Sequence, residues 1–212
     1  ILLHQSLEKI KSKKIDNVII EASSHGLHQQ RLDHLNFNAG IFTNFSQDHL
    51  DYHKTMRSYF KSKMLLFNKI LSEKKKIISD KTIKEFKNLE KISKERKLNL
   101  ISIHNIKKKI HNIEKFKDLN DFQKNNLSMA IAAAKLCNLN DKKIFKSLKK
   151  IKDVNGRIEL VKTFTNNVKV YVDFAHTPDA LFKVIKLLKT KYGENISLVF
   201  GCGGERDLKK RS

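Results

Sequence analysis

Apolar positions recur at helical spacing over residues 2–14 (Leu3, Leu7, Ile10) and then change period at "DNVIIEA", where the continuous run Val18-Ile19-Ile20 predicts a buried strand. "FNAGIFTN" (37–44) predicts a second short strand that ends in polar residues. Helical spacing returns from Thr55 to Ile70, with Thr55 placed as its N-cap. "KKIISD" (75–80) predicts a third strand, "TIKEFKNLEKISKERK" a helix and "LNLISI" (98–103) a fourth strand. Residues 104–122 are rich in lysine and asparagine and weakly patterned, so no element is placed there. "NNLSMAIAAAKLCNL" (125–139) predicts an alanine-rich helix, and "DKKIFKSLKKI" a second. Strands alternating with helices indicate an α/β protein with a doubly wound, mostly parallel central sheet. Such sheets hold ligands at the carboxyl ends of their strands.

"KDVNGRIE" (152–159) carries a turn glycine and no clear period, and it divides the chain into units 1–155 and 156–212. After it, "IELVKTF" and "VKVYVDFAH" predict two strands in hairpin-like succession. A helix is expected from Pro178, at the first-turn position that proline favours. "ISLVFGCGG" (196–204) predicts a buried strand running into a glycine loop, as the start of a second α/β domain. The first residue is Ile1 rather than Met, and "GGERDLKKRS" ends as a loop begins, so a piece of a longer chain is expected.

Composition narrows the classes. The 212 residues are 40% hydrophobic, enough to bury a core, and no apolar run reaches membrane-spanning length. Cys137 and Cys202 stand far apart without metal-type spacing, which suits a reducing cytoplasm. The formal charge of +22 invites a nucleic-acid-binding module as an alternative. Only six of the 44 basic residues are arginine, however, and phosphate-reading surfaces lean on its bidentate fork. The lysines are scattered, as solvated faces are.

Three apolar runs end in ionisable groups: Glu21-Ala-Ser-Ser-His25, then Asp48-His49 with Asp51 and His53, then Asp173-Phe-Ala-His176. Carboxylate and imidazole at one sheet edge suit a cation, and hydroxyls suit phosphate. Each residue also has a plainer reading. Glu21 could be a helix cap, Asp48 and Asp51 turn residues, and the histidines surface groups.

"EASSHGLHQQRLDHLNFNAGIFTNFSQDHLDYHKTMRSYFKSKMLLF" closely resembles the central domain of the Mur ligases. The likeness is to the type that adds the third residue of the peptidoglycan stem peptide, the tripeptide synthetases. "NGRIELV", "VYVDFAHTPDAL" and "VFGCGGERDLKKR" follow in the order of that type. "DHLDYH", "AHTPDAL" and "GCGGERD" favour it over its siblings and over the related folylpolyglutamate synthases.

The resemblance implies a cytoplasmic, ATP-dependent ligase that phosphorylates the D-Glu carboxylate of UDP-MurNAc-L-Ala-D-Glu and adds a diamino acid, meso-diaminopimelate or L-lysine. It implies ATP and Mg²⁺, no nucleic acid, no membrane insertion, and a monomer as the simplest state. Carried over by position, Glu21, His49 and Lys63 would be metal ligands, with Lys63 carbamylated (N6-carboxylysine) and Lys63 and His49 catalytic. Ser23, Gln29 and Arg31 would bind the UDP-MurNAc-dipeptide. Asn126, Arg157 and Asp173 would face ATP, and His176 would orient its loop. Arg206 and Asp207 fall near the cleft without a role.

Some positions depart from the family. Phe122-Gln123 replaces the family's Phe-Asn, which puts the adenine contact at Gln123 in doubt. "NGR" stands for "PGR", and residues 80–122 are short for the accessory sheet. No G-x-x-G-K-[ST] phosphate loop and no DNPR-type amino-acid-reading segment occurs in these residues. Residues 1–212 alone are therefore expected not to ligate.

Overall fold

The computed structural model describes residues 2–117 and 119–201. Cys202, Arg206, Asp207 and Arg211 lie outside the described residues, as do the last residues of the strand expected at 196–204.

The centre is a three-stranded parallel sheet in the order β1 (Ala39–Phe42), β2 (Lys76–Ser79), β3 (Asn99–Ser102), with Ile41, Ile78 and Ile101 in register. Ile77 and Ile78 show why both faces must be covered. Successive strand residues point to opposite faces, and both side chains are fully buried. Ile77 packs with Leu27, Leu66, Phe67, Leu71 and Leu89. Ile78 packs with Ile103, Met129 and Ala132.

The first face is covered by α2 (Ser24–His28), α4 (Met56–Leu65) with its π-helical continuation Leu66–Ile70, and α5 (Phe86–Glu95). The other face is covered by α7 (Asp121–Leu136). Outside α7, a further apolar cluster joins it to α6 (His104–His111) and α8 (Asp141–Leu148). The α/β, doubly wound architecture expected from the sequence is present. Helix α1 (Leu2–Ser12) precedes the sheet, and α3 (Leu50–His53) lies between β1 and α4.

β1 runs directly beneath the π-helical turn. A Cβ placed on Gly40 would stand 2.8 Å from the Phe67 ring and 3.1 Å from Leu66, closer than carbon atoms pack. Gly40→Ala is expected to cost about 1–3 kcal/mol by overpacking. A urea midpoint within error of the parent would contradict this contact.

Several expectations are corrected. Residues 16–22 form no strand: a parallel strand exists only against a hydrogen-bonded neighbour, and no described residue pairs with them. Ile19 is accordingly 90% exposed, while Ile20 and Ala22 pack against the main core. Residues 196–201 also pair with nothing described, and Val199 is 97% exposed.

The weakly patterned stretch contains α6, whose Ile106 and Ile110 face the outer cluster. Helix α7 begins four residues before the predicted start. Asn120 and Gln123 form a reciprocal capping box there, so the Gln123 amide is engaged with the helix end. Asn126 is therefore not the helix-start residue.

The second unit opens with the expected antiparallel hairpin, β4 (Glu159–Thr163) and β5 (Lys169–Val172). It continues into α9 (Pro178–Tyr192), capped by Thr177 with Pro178 in its first turn. Among the described residues no helix is long and apolar enough to cross a membrane.

Candidate active site

The site grows from two short helices laid against α4. Ser23 caps α2, its hydroxyl accepting from Gly26 N at 3.1 Å. That cap turns the chain so that Glu21 stays exposed just ahead of the helix, while Ser24, Gly26 and Leu27 are buried. Gln29 ends α2, and its Nε2 donates to the Tyr52 hydroxyl at 3.2 Å. Arg31 follows, exposed.

After β1 the chain enters a loop that closes on Asp48. Its Oδ1 accepts from His49 N at 2.7 Å, and its Oδ2 lies 3.5 Å from His49 Nε2. His49 itself is left-handed, with φ 55° and ψ 28°. The Asp48 carboxylate is largely buried.

Lys63 stands beside this loop on α4. Thr55 caps α4 as expected, accepting from Ser58 N. Lys63 sits near the end of that helix with Nζ 5.2 Å from the centre of the Tyr59 ring, one turn earlier. Burial pushes its pKa down from 10.5, and the carboxylates of Asp48 and Glu21 oppose that shift. Burial, with Asp48 adding to it, pushes the Tyr59 phenol up to about 12, so it stays protonated. The structure thus brings Glu21, Lys63 and, through Asp48, His49 into one electrostatic group.

Among the described residues, no set of three or more His, Cys, Asp or Glu side chains lies close enough to hold a metal ion unaided. The carboxylates of Asp48 and Glu21 favour the charged form of the Lys63 amine.

Around this group stand His25, Tyr52 and His53. The His25 ring lies 4.9 Å from His49 and 4.2 Å from Tyr52, centre to centre. His53 is not the surface residue of the plainer reading: it is 5% exposed. Burial, then the neighbouring His25, His28 and His49, hold it below 6.5, with Asp51 opposing. As pH falls, the unfolded chain takes up this proton first. The neutral ring therefore contributes stability that is complete above 6.5 and lost as pH drops through the folded value. Melting temperatures taken from about pH 7.5 to 5.5 are expected to fall, and to fall less in His53→Gln. Parallel slopes for the two proteins would remove His53 as the source.

The second unit meets the first at this point. His176 Nε2 lies 3.6 Å from Asp48 Oδ2, while its Nδ1 is 3.0 Å from the Phe174 carbonyl. Asp173 accepts from Ile158 N at 2.8 Å and Ala175 N at 2.7 Å, so it ties the "NGRIE" turn to the "DFAH" loop. Arg157 stacks over Phe174 at 5.0 Å. Asn126 stands apart from the α2–α4 group, exposed on the helix that covers the other sheet face. Asp48 and His53 were named only as ionisable groups after an apolar run, and Tyr59 was not named at all. Tyr59 could have been found, because it precedes Lys63 by one helical turn.

Comparison with known proteins places the chain in a family. Residues 1–145 match the Mur ligase middle domain, and residues 156–212 the Mur ligase glutamate ligase domain. A UDP-N-acetylmuramoyl-L-alanyl-D-glutamate--2,6-diaminopimelate ligase of Wigglesworthia glossinidia brevipalpis is 37% identical over 94% of this chain and 45% of its own length. Its counterpart in Rickettsia bellii is 36% identical over 96% of this chain and 47% of its own length. The chain spans about half the length of the curated relatives it matches. A solved structure of a ligase of the same name superposes over 90% of this chain and 43% of its own, with a TM-score of 0.57 and 26% identity. MurF from Acinetobacter baumannii shares the fold, with a TM-score of 0.54 at 11% identity over 74% of this chain and 38% of its own.

Proposed function

Because the chain belongs to the Mur ligase family, we propose that it forms the centre of an ATP-dependent amide ligase of peptidoglycan synthesis. Residues 1–155 are the central domain in this reading, and residues 156–212 open the last. The substrates are UDP-MurNAc-L-Ala-D-Glu and a diamino acid. The names of the relatives favour meso-2,6-diaminopimelate over L-lysine. The D-Glu carboxylate takes the γ-phosphoryl group of ATP, releasing ADP. The amine then attacks the acyl phosphate, loses a proton and expels phosphate. Two anions must be held within bonding distance, so positioning and electrostatics supply most of the rate.

Ser23, Gln29 and Arg31 hold the nucleotide-sugar dipeptide, Arg31 by pairing with phosphate or carboxylate. Asn126, Arg157 and Asp173 serve the nucleotide, Asp173 by fixing the turn that carries Arg157. The observation that carries the reading is Lys63, a half-buried amine over the Tyr59 ring, whose ammonium form burial disfavours while the carboxylates of Asp48 and Glu21 oppose that shift. Its neutral amine can add CO₂, releasing one proton to solvent and leaving a carbamate. That exchange replaces the local cation with a third anion beside Glu21 and Asp48, and oxygen donors of this kind suit Mg²⁺. Glu21, His49 and the Lys63 carbamate would hold the ion, which when bound neutralises charge between the reacting anions.

The test is direct. The complete protein, given ATP, the UDP-MurNAc-dipeptide and meso-diaminopimelate, is expected to release ADP and phosphate with formation of the tripeptide product, detected by mass. No product with either diamino acid would reject the reading. Product with L-lysine alone would reject only the choice of amine.

A further inference from the structure

His53 ends α3 with its ring buried between two helices, and it belongs to none of the ligand sets above. Its Nε2 lies 2.9 Å from Ser24 Oγ, at the first residue of α2. Its Nδ1 lies 3.4 Å from Ser62 Oγ on α4. The Ser62 hydroxyl already donates to the Ser58 carbonyl at 3.0 Å, so toward the ring it can only accept. The network therefore assigns the ring proton to Nδ1 and leaves Nε2 to accept from the Ser24 hydroxyl. One face of the ring stacks on Tyr59, with centres 5.3 Å apart and planes 25° apart.

Both hydroxyls are on buried residues, and each adjoins a residue with a proposed role. Ser24 follows Ser23, and Ser62 precedes Lys63. Helix α2 is only five residues long and cannot hold its own position. Leu27 in the core and contacts of His25, His28 and Gln29 with Tyr52 help to hold it, and the His53 ring ties it to α4 through Ser62 and Tyr59.

We infer that His53 is a positioning residue that keys α2 onto α4, fixing the substrate-holding stretch 23–31 relative to Lys63. This rests on the proposed roles of those residues. A side chain without a polar atom at Nε2 leaves the buried Ser24 hydroxyl unpaired and lets α2 shift. Gln can still present an oxygen to Ser24, though not a second group to Ser62.

The test uses the complete protein with kinetics and amide exchange together. His53→Ala is expected to raise KM for the UDP-MurNAc-dipeptide about tenfold, with KM for ATP within about twofold. His53→Gln is expected to recover most of that loss. Ser24→Ala should reproduce the effect and add little to His53→Ala, as a shared contact requires. Amides of residues 24–28 should exchange faster in His53→Ala while those of α7 stay unchanged. Equal rises in both KM values, a Gln variant as impaired as Ala, or additive effects with Ser24→Ala would each overturn the inference. If His53→Ala does not fold, Ser24→Ala carries the same KM comparison. The exchange measurement needs no activity, so it can fail while the ligase reading stands; absence of ligation in the parent protein would bear on that reading alone.

Discussion

Replacing Lys63 with alanine in the complete protein is expected to lower ligation on the order of a thousandfold, because the carbamate that would help to hold the charge-neutralising Mg²⁺ is lost. The fold should survive. Lys63 lies near the end of α4 with its neighbours Ser62 and Met64 buried on other contacts, and alanine is the best helix former. The deletion leaves a slot lined by Tyr59 and faced by Glu21 and Asp48. A short carboxylate such as formate or acetate could occupy it and replace the carbamate oxygens, so partial rescue is expected. Bicarbonate should stimulate the parent protein and be less effective in the variant. Full activity in Lys63→Ala, measured as ADP release coupled to tripeptide formation, would sink the carbamate assignment.

The largest loss of stability is expected at Phe67. The ring is 1% exposed, on the π-helical turn that continues α4, 6.2 Å from the Phe42 ring and in the gap left open by Gly40. Phe67→Ala is expected to cost about 3–5 kcal/mol through lost burial and the cavity left behind. A domain is stable by only about 5–15 kcal/mol, so a large share would be gone. Urea unfolding monitored by circular dichroism should show the midpoint drop with an unchanged slope. A loss below about 1 kcal/mol would mean that the turn repacks around the vacancy. Because the same turn leads back to Lys63, activity should fall at temperatures where the variant is still mostly folded.

Period made much of this architecture legible. The strands at 39–42, 76–79 and 99–102 and helices α4, α5 and α7 fall where alternation or helical spacing puts them, within a few residues. Two apolar runs misled for one reason. Val18-Ile19-Ile20 and the run at 196–200 have strand composition, but a strand depends on a neighbour that local composition does not reveal. Helix α6 was hidden by Lys107, Lys108 and Lys109, whose charges dilute a spacing that Ile106 and Ile110 carry by themselves.

At the site, the polar ends of apolar runs drew attention to Glu21 and His49, although no strand forms before Glu21. No local signal distinguished Lys63 from the other lysines of this chain, and only the likeness to a family did so. The burial of His53 was invisible for a physical reason: it is made by Ser24, 29 residues away, and by the fold of α4.

The left-handed backbone of His49 bears on how that position can be probed. With φ 55° and ψ 28°, the residue occupies a region that asparagine enters at little cost and that β-branched side chains resist. A substitution there changes two properties at once, the donor atoms offered to a ligand and the shape of the loop that offers them. His49→Asn keeps the backbone and alters the donor, whereas His49→Val disturbs both. The difference between those two variants isolates what the loop shape contributes, and randomising position 49 would be filtered by conformation before any chemistry was sampled.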